Sequence, residues 1–306
     1  MDMLRIGTRG SPLALVQAQQ VRDLLIASGV PADAVSVHVF KTSGDRIQDR
    51  PLSEAGGKGL FTKELEDALL AGEIDAAVHS MKDMATRLPD GLAIASVLER
   101  EDVRDGFISL RHGSLAALPQ GATFGTSSLR RQAQILRLRP DLRITGFRGN
   151  VETRLKKLAD GVAEATLLAV AGLKRLGMSD RITEMLETAT LLPAAAQGAI
   201  GVEIRAGDSD TATALAALDH QPTHLAITAE RAFLGTLDGS CRTPIAALAT
   251  LVAGRLRFRG EVISPDGTRH VAVEREAAPQ EAVRMGVDAG KEVLARAGAD
   301  LLGARG

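Results

Sequence analysis

The 306-residue chain has one cysteine, no tryptophan and no tyrosine, so its few aromatic residues are all phenylalanine. A single cysteine excludes an internal disulfide framework, which fits a reducing compartment. We find neither a signal-peptide core nor an apolar run long enough to span a bilayer, so we expect a cytoplasmic protein with no membrane partner. Scarce aromatic residues and a net charge of −1 also argue against nucleic acid as a partner.

Strands alternate with helices in two stretches of the sequence, which is the pattern of doubly wound, parallel α/β sheets. Three helix starts carry N-cap signals: Ser11 before Pro12, Ser127-Ser128, and Asn150. The first α/β domain is predicted over residues 1–98 with 199–218, and the second over 99–198. Two chain crossings between them predict a hinge. Residues 219–306 combine helices with alternating strands separated by turns, which predicts a small α+β C-terminal domain with an antiparallel sheet. The charged run 99–105 is expected to be a solvated crossing.

Arginines and hydroxyl groups recur just past the ends of strands in the second stretch. Arg130 and Arg131 lie in the first turn of a helix predicted over 129–138, and Arg154 and Arg175 follow later strands. Ligands bind at this edge of open α/β sheets, and helix N-termini favour anions. An arginine in a first turn opposes the helix dipole by ~0.3–1 kcal/mol, which a bound anion would offset. The pattern predicts an anion-binding cleft.

The only cysteine, Cys241, lies in the polar turn Gly239-Ser240-Cys241-Arg242-Thr243-Pro244. A lone cysteine is most often a small buried residue, but a turn exposes it and Arg242 favours the reactive thiolate, so both roles stay open.

Asp83 follows a predicted strand and suits a carboxylate in a basic cleft, although a helix cap or an ion pair with Lys82 fits equally well. His79 lies inside that apolar strand and is expected to be a hydrogen-bonded core histidine. His220 and His224 have the spacing of metal ligands, but Pro222 separates them and no third ligand is evident. No metal site is predicted.

Seven segments in order match one known family: Thr8–Leu15, Gly57–Phe61, His79–Asp83, Gly125–Arg131, Phe147–Arg154, Ala171–Gly177 and Gly239–Pro244. Through these segments, which are distributed along essentially its full length, the chain resembles the hydroxymethylbilane synthases, also called porphobilinogen deaminases. The resemblance implies a monomeric transferase of porphyrin and heme biosynthesis that joins four porphobilinogen molecules head to tail and releases ammonia at each addition. It also implies a dipyrromethane cofactor, linked by a thioether to Cys241, on which the linear tetrapyrrole is built and from which water releases it.

The resemblance further implies roles for individual residues. The carboxylates of cofactor and substrate are expected to bind the following side chains: Arg9, Arg130, Arg131, Arg148, Arg154 and Arg175, assisted by Lys58, Lys82, Ser11, Ser80, Thr126 and Ser128. Arginine suits this task because its planar fork binds a carboxylate at two points and stays charged. Asp83 is the expected catalytic group, because a fixed carboxylate stabilises the positive charge that develops on pyrrole nitrogen. Phe61 packs either on a pyrrole face or in the core.

The chain departs from the family pattern at three places. Ala85 replaces a proline after the Asp83 segment, Ala196 replaces a glycine before Gln197, and Arg242-Thr243 differs beside the cysteine. None of these changes removes an expected catalytic group.

Two other classes of protein share some of these features. The two hinged α/β domains expected here are periplasmic-binding-protein-like, and a two-lobed small-anion-binding protein has the same architecture. Such a protein, however, needs a secretory signal and gives Cys241 no task. A Cys–His hydrolase or acyl transferase needs a histidine beside Cys241, and the sequence offers no convincing one.

Overall fold

The computed structural model describes residues 3–46, 61–237 and 244–301. Its strands are β1 Leu4–Arg9, β2 Val35–Phe40, β3 Ala76–Ser80, β4 Leu92–Val97, β5 Asp105–Ser109, β6 Thr123–Gly125, β7 Arg143–Thr145, β8 Ala165–Ala169, β9 Glu184–Leu186, β10 Ile200–Arg205, β11 Ile245–Val252, β12 Arg255–Ile263 and β13 His270–Ala277. Its α-helices are α1 Pro12–Ala27, α2 Ser43–Arg46, α3 Lys63–Leu70, α4 Leu129–Leu138, α5 Val151–Ala159, α6 Val170–Arg175, α7 Ser209–Leu215, α8 Gln221–Thr236 and α9 Ala282–Leu301.

The strands form three sheets in two compact units. One unit comprises Met1–Glu101 with Gly198–His224, and the other comprises Asp102–Gln197 with Leu225–Gly306. The first unit contains the sheet β2-β1-β3-β10-β4, and the second contains the sheets β7-β6-β8-β5-β9 and β11-β12-β13. The expected fold class, two α/β sheets and a smaller α+β element, is confirmed. The boundaries predicted for three separate domains stay a prediction.

One face of helix α1 is buried against the first sheet. Ser11 caps the N-terminus of α1, where its hydroxyl accepts a hydrogen bond from the Ala14 amide at 3.3 Å, and Pro12 occupies the first turn. The buried face of α1 includes Ala18, Val21 and Leu25, which pack with residues of β1 and β10 in one apolar cluster. The helix start predicted from Ser11 and Pro12 is confirmed.

Both α/β sheets are mixed, so the expectation of wholly parallel sheets is wrong. In the first sheet β10 runs antiparallel to β3 and β4, and in the second β5 runs antiparallel to β8 and β9. The other pairs in these sheets, β1 with β2 and β3 and β6 with β7 and β8, are parallel. β5 and β10 are the strands that follow the two crossings of the chain, so no helical crossover fixes their direction as it does in a βαβ unit.

The third sheet is antiparallel, as predicted, and two helices cover it. β11 pairs with β12 over Ile245 to Val252, and β12 pairs with β13. α9 packs against β12 and β13, and α8 contributes Phe233, whose ring meets that of Phe258 edge-on with 5.1 Å between centroids. Within the described residues, no helix combines the length and apolar character needed to cross a membrane.

Candidate active site

Two adjacent parallel strands of the first sheet end in predicted site residues. Arg9 is the last residue of β1, and Ser80 is the last residue of β3. Asp83 closes the short 3-10 turn that follows Ser80, and its side chain is exposed. Parallel strands place their carboxyl ends at one edge, so the three side chains converge on a cavity of about 60 Å³. Ser11 and Phe61 also line it. Lys82 is exposed beside Asp83.

Ser80 is positioned by a buried glutamine that the sequence prediction missed. Gln17 on α1 is 3% exposed, and its side-chain amide nitrogen donates to the Ser80 hydroxyl at 2.8 Å. Gln17 also lines the cavity. Its position was readable from sequence, because Gln17 lies on the helix face of Ala14, Ala18 and Val21, where a polar residue is unexpected.

Phe61 lies under an arginine rather than in the core. The Arg9 guanidinium carbon lies 4.2 Å from the centroid of the Phe61 ring, within the range of a cation–π contact. Both Arg9 and the half-buried Phe61 line the cavity. Whether the ring also packs on a pyrrole stays a prediction.

His79, which lines this cavity, belongs to a buried group of titratable side chains. His79 is 5% exposed, and its Nε2 lies 3.0 Å from a carboxylate oxygen of Glu203, which is fully buried. The expectation of a hydrogen-bonded core histidine is confirmed. Glu66, 8% exposed, completes the group; burial raises the pKa of its carboxyl, as does the nearby Glu203, and Thr62 and His79 offset this in part.

The second sheet repeats the pattern of capped helices after parallel strands. Thr126 follows β6, and its hydroxyl accepts a hydrogen bond from the Ser128 amide at 3.1 Å. Ser128 in turn caps α4 through the Arg131 amide, and Asn150 caps α5 through the Thr153 amide. Both caps confirm predicted helix starts. Three helix N-termini, those of α1, α4 and α5, therefore follow strands at the ligand-binding edges of their sheets.

Arg130 and Arg131 are buried and share an internal carboxylate. They are 7% and 6% exposed, and their Nη2 atoms donate to the two oxygens of Asp105 at 2.6 and 2.7 Å. Asp105 is fully buried, so its expected place in a solvated crossing is wrong. The reason is the direction of β5: Asp105 is its first residue, pairs with Ala169 at the end of β8, and so lies at the carboxyl edge.

The charged groups of this cluster shift one another's pKa values. Burial alone would raise the pKa of Asp105, but Arg130 and Arg131 outweigh it and hold that pKa well below its usual range. Burial lowers the pKa of Arg130, and Asp105 opposes that shift. The anion that offsets the two first-turn arginines is thus partly supplied by the chain itself.

The other predicted arginines of this unit are half-buried on α5, α6 and the turn before α5. Arg154 Nε donates to the carbonyl oxygen of Gly149 at 2.8 Å, and Lys157 Nζ donates to that of Arg148 at 3.1 Å. Arg175 is the last residue of α6. Lys58 and Cys241 lie outside the described residues, so their roles stay predictions.

Comparisons with known proteins extend over both units. A family model described as "Porphobilinogen deaminase, dipyromethane cofactor binding domain" matches residues 4–213, and one described as "Porphobilinogen deaminase, C-terminal domain" matches 224–295. A protein named porphobilinogen deaminase from Paracoccus denitrificans is 58% identical over 298 residues, or 97% of this chain and 95% of that protein. One of the same name from Nitrobacter winogradskyi is 55% identical over 294 residues, or 96% and 93%.

A solved structure of an ABC transporter periplasmic substrate-binding protein from Coxiella burnetii is 15% identical, with a TM-score of 0.44, and covers 75% of this chain and 97% of its own. At that similarity it says nothing about what this chain binds.

Proposed function

The chain belongs to the porphobilinogen deaminase family, and on that premise we propose how its residues divide the work of a hydroxymethylbilane synthase. This transferase joins four porphobilinogen molecules head to tail, with loss of ammonia at each addition, and releases a linear tetrapyrrole. The resemblance drawn from the seven sequence segments is confirmed, and the alternative of a small-anion-binding protein finds no support in these matches.

The donor set of the second unit fits a carboxylate-bearing cofactor. Arg131 Nε is buried and finds no hydrogen-bond acceptor among the described residues, and Arg130 beside it shares a single carboxylate with Arg131. These two arginines, with Arg148, Arg154 and Arg175, would hold the acetate and propionate groups of the dipyrromethane, and Cys241 would form the thioether. When bound, the dipyrromethane supplies the free pyrrole carbon to which porphobilinogen is joined.

Asp83 is the proposed catalytic residue of the first unit. Loss of ammonia from porphobilinogen leaves an electrophilic methylene-pyrrolenine whose positive charge is centred on the pyrrole nitrogen. A carboxylate that accepts the pyrrole N–H hydrogen bond stabilises this charge. The observation that supports Asp83 is its place: an exposed carboxylate that lines the cavity formed at the ends of β1 and β3.

The groups around Asp83 have supporting tasks. We assign Arg9, which lies over the Phe61 ring, to a substrate carboxylate, because Arg9 lines the cavity. Ser80 is held by Gln17 from both sides: its hydroxyl accepts from Nε2 at 2.8 Å and donates to Oε1 at 3.1 Å, which leaves it one acceptor position. Ser11 and Lys82 add a hydroxyl and a cation for the same carboxylates.

The test is the pair of variants Asp83→Asn and Asp90→Asn. Asp90 is an exposed carboxylate seven positions after Asp83 that does not line the cavity. Asp90→Asn therefore removes the same charge as Asp83→Asn without changing the cavity. We expect Asp83→Asn to lose about 100-fold or more in turnover of porphobilinogen, as measured by ammonia release, because groups that stabilise developing charge are worth that much. Asp90→Asn should keep normal turnover. Equal turnover in the two variants would refute the role of Asp83.

We also propose that the enzyme acts as a cytoplasmic monomer with porphobilinogen as its partner and with no binding to nucleic acid. The near-zero net charge and the single cysteine support this assignment. Light scattering of the purified protein tests the monomer, which predicts a mass near 32.1 kDa.

A further inference from the structure

Asp105 is a buried carboxylate of the second unit that pairs with two of the proposed ligand-binding arginines. It is fully buried, it begins β5, and it lies directly after the first crossing of the chain. Its two oxygens are divided between two cations: Oδ2 accepts from Arg130 at 2.6 Å and Oδ1 from Arg131 at 2.7 Å. A carboxylate used in this way fixes the direction of both guanidinium groups.

A fourth side chain fixes the carboxylate itself. Gln197, also fully buried, donates from Nε2 to Asp105 Oδ1 at 3.0 Å and to the carbonyl oxygen of Val103 at 2.8 Å. Gln197 precedes the return crossing, and Val103 belongs to the first one. The same amide therefore ties Asp105 to the backbone of the first crossing segment.

The cluster contains more positive than negative charge at hydrogen-bonding distance, and one of its donors has no acceptor among the described residues. Two guanidinium groups share the one carboxylate within hydrogen-bonding distance, although Glu261 attracts Arg130 from farther away. Arg131 Nε is buried and lacks an acceptor among the residues that the structure describes. Arg130 uses Nη1 to donate to the carbonyl oxygen of Leu192 at 2.7 Å, so its own orientation is set from a second side.

The geometry points to Asp105 as a positioning residue, which holds Arg130 and Arg131 in the orientation that receives a carboxylate of the cofactor or substrate, and to Gln197 as the group that holds Asp105. This inference rests on the proposed function of the two arginines. Asp105 touches neither ligand in this account, and its whole effect on the reaction passes through the arginine forks.

The experiment compares Asp105→Asn, Gln197→Met, Arg131→Lys and the double variant Asp105→Asn/Arg131→Lys in the full-length holoenzyme. Asp102→Asn is the matched control, because Asp102 also pairs with an arginine in the same crossing, Arg104 at 2.8 Å, but away from Arg130 and Arg131. Each variant is characterised by kcat and KM for porphobilinogen, by intact mass for cofactor content, and by thermal unfolding.

We expect Asp105→Asn to raise KM by about 10- to 100-fold, since hydrogen bonds to charged groups are worth that factor. Gln197→Met keeps both ion pairs and should raise KM by about 3- to 10-fold through loss of neutral hydrogen bonds. In the double variant, Asp105→Asn should raise KM by a smaller factor than it does alone, because the part of its effect that passes through Arg131 is already lost and only the part through Arg130 remains. Asp102→Asn should keep the wild-type KM.

A purely structural role would lower the unfolding temperature and would multiply with the effect of Arg131→Lys. That multiplicative result, or a wild-type KM in Asp105→Asn, would overturn the inference. If Asp105→Asn does not fold, Gln197→Met decides the question, and a wild-type KM there has the same meaning. Normal kinetics in Arg131→Lys would instead remove the proposed function of the arginines and the inference with it, whereas impaired Arg131→Lys with normal Asp105→Asn removes the positioning role alone.

Discussion

Ala196 has a left-handed backbone conformation that an alanine adopts at a cost. Its φ is 60°, and it is 1% exposed at the end of the second unit's first segment. The family pattern has a glycine at this position. Replacing Ala196 by glycine should therefore stabilise the protein, and the structure allows the size of the gain to be worked out.

The gain is a difference between two opposing effects. A left-handed conformation costs an L-residue about 1–2 kcal/mol relative to glycine. Glycine in turn loses about 0.4–1 kcal/mol, because its unfolded chain has more conformations. The difference between these two ranges gives an expected net rise of about 0–1.6 kcal/mol in the free energy of unfolding for Ala196→Gly.

The conformation persists because a buried carboxylate holds it. Glu230 on α8 is fully buried; one oxygen accepts from the Ala196 amide at 2.6 Å and the other from the Ala249 amide of β11 at 2.7 Å. These two bonds join the end of the α/β segment to the third sheet and over-determine the backbone at Ala196. Glycine keeps both amide bonds, so it removes the strain and no contact of the main chain.

Urea denaturation at equilibrium measures the effect, with two comparison variants. Ala253→Gly changes an exposed alanine that also has a positive φ, 49°, in the two-residue turn between β11 and β12, and should be stabilising by a similar amount. Ala194→Gly changes a half-buried alanine that is not among the described residues with positive φ, and should lower stability by about 0.5–1 kcal/mol. If Ala196→Gly were as destabilising as Ala194→Gly, the argument from backbone strain would be refuted.

Two further predictions concern burial and close packing. The pKa of the Glu66 carboxyl is raised in the folded state, so the free energy of unfolding falls as pH rises from the unfolded-state pKa through the folded-state pKa. Glu66→Gln should therefore be more stabilising at pH 7 than at pH 4 in thermal unfolding. An equal effect of the substitution at both pH values would contradict this prediction. Gly267 has a φ of 77°, and a Cβ there would lie 2.5 Å from the Arg137 amide nitrogen on α4. Gly267→Ala should therefore lower the free energy of unfolding by about 2–4 kcal/mol. Gly254→Ala, which has open space around it, should lower that free energy by less.

Helix starts and strand bounds are predictable from local signals in the sequence. The N-caps Ser11, Ser128 and Asn150 were predicted because capping depends on a few adjacent residues. The bounds of β11 and β12 follow from alternation and a tight turn, which are also local. Signals of this kind are complete within a short window, so a single sequence suffices to read them.

Long-range pairing was not predictable in the same way. The antiparallel direction of β5 depends on its pairing with β8, which lies about sixty positions later in the chain. That direction places Asp105 at the carboxyl edge and buries it between two arginines, whereas its neighbours in the charged run suggested solvent. The contact of Arg9 with Phe61 likewise joins residues that are distant in sequence.

The candidate site was predicted in its residue types more than in its arrangement. Asp83, Arg9 and Ser80 were identified through the family resemblance, and the structure brings all three to one cavity. Asp105 and Gln197 are marked as functional by no family segment or local pattern, and the only local signal for Gln17 is its place on an apolar helix face. Each acts by contacting another side chain, and such contacts are fixed only in the folded protein.

The central claim is that the chain is a hydroxymethylbilane synthase that holds its own cofactor through Cys241, and intact-mass measurement tests it most directly. Wild-type protein should carry an adduct equal to two porphobilinogen-derived units, and Cys241→Ser should lack both that adduct and the release of ammonia from porphobilinogen. An unmodified mass in a preparation that turns over porphobilinogen would contradict the claim.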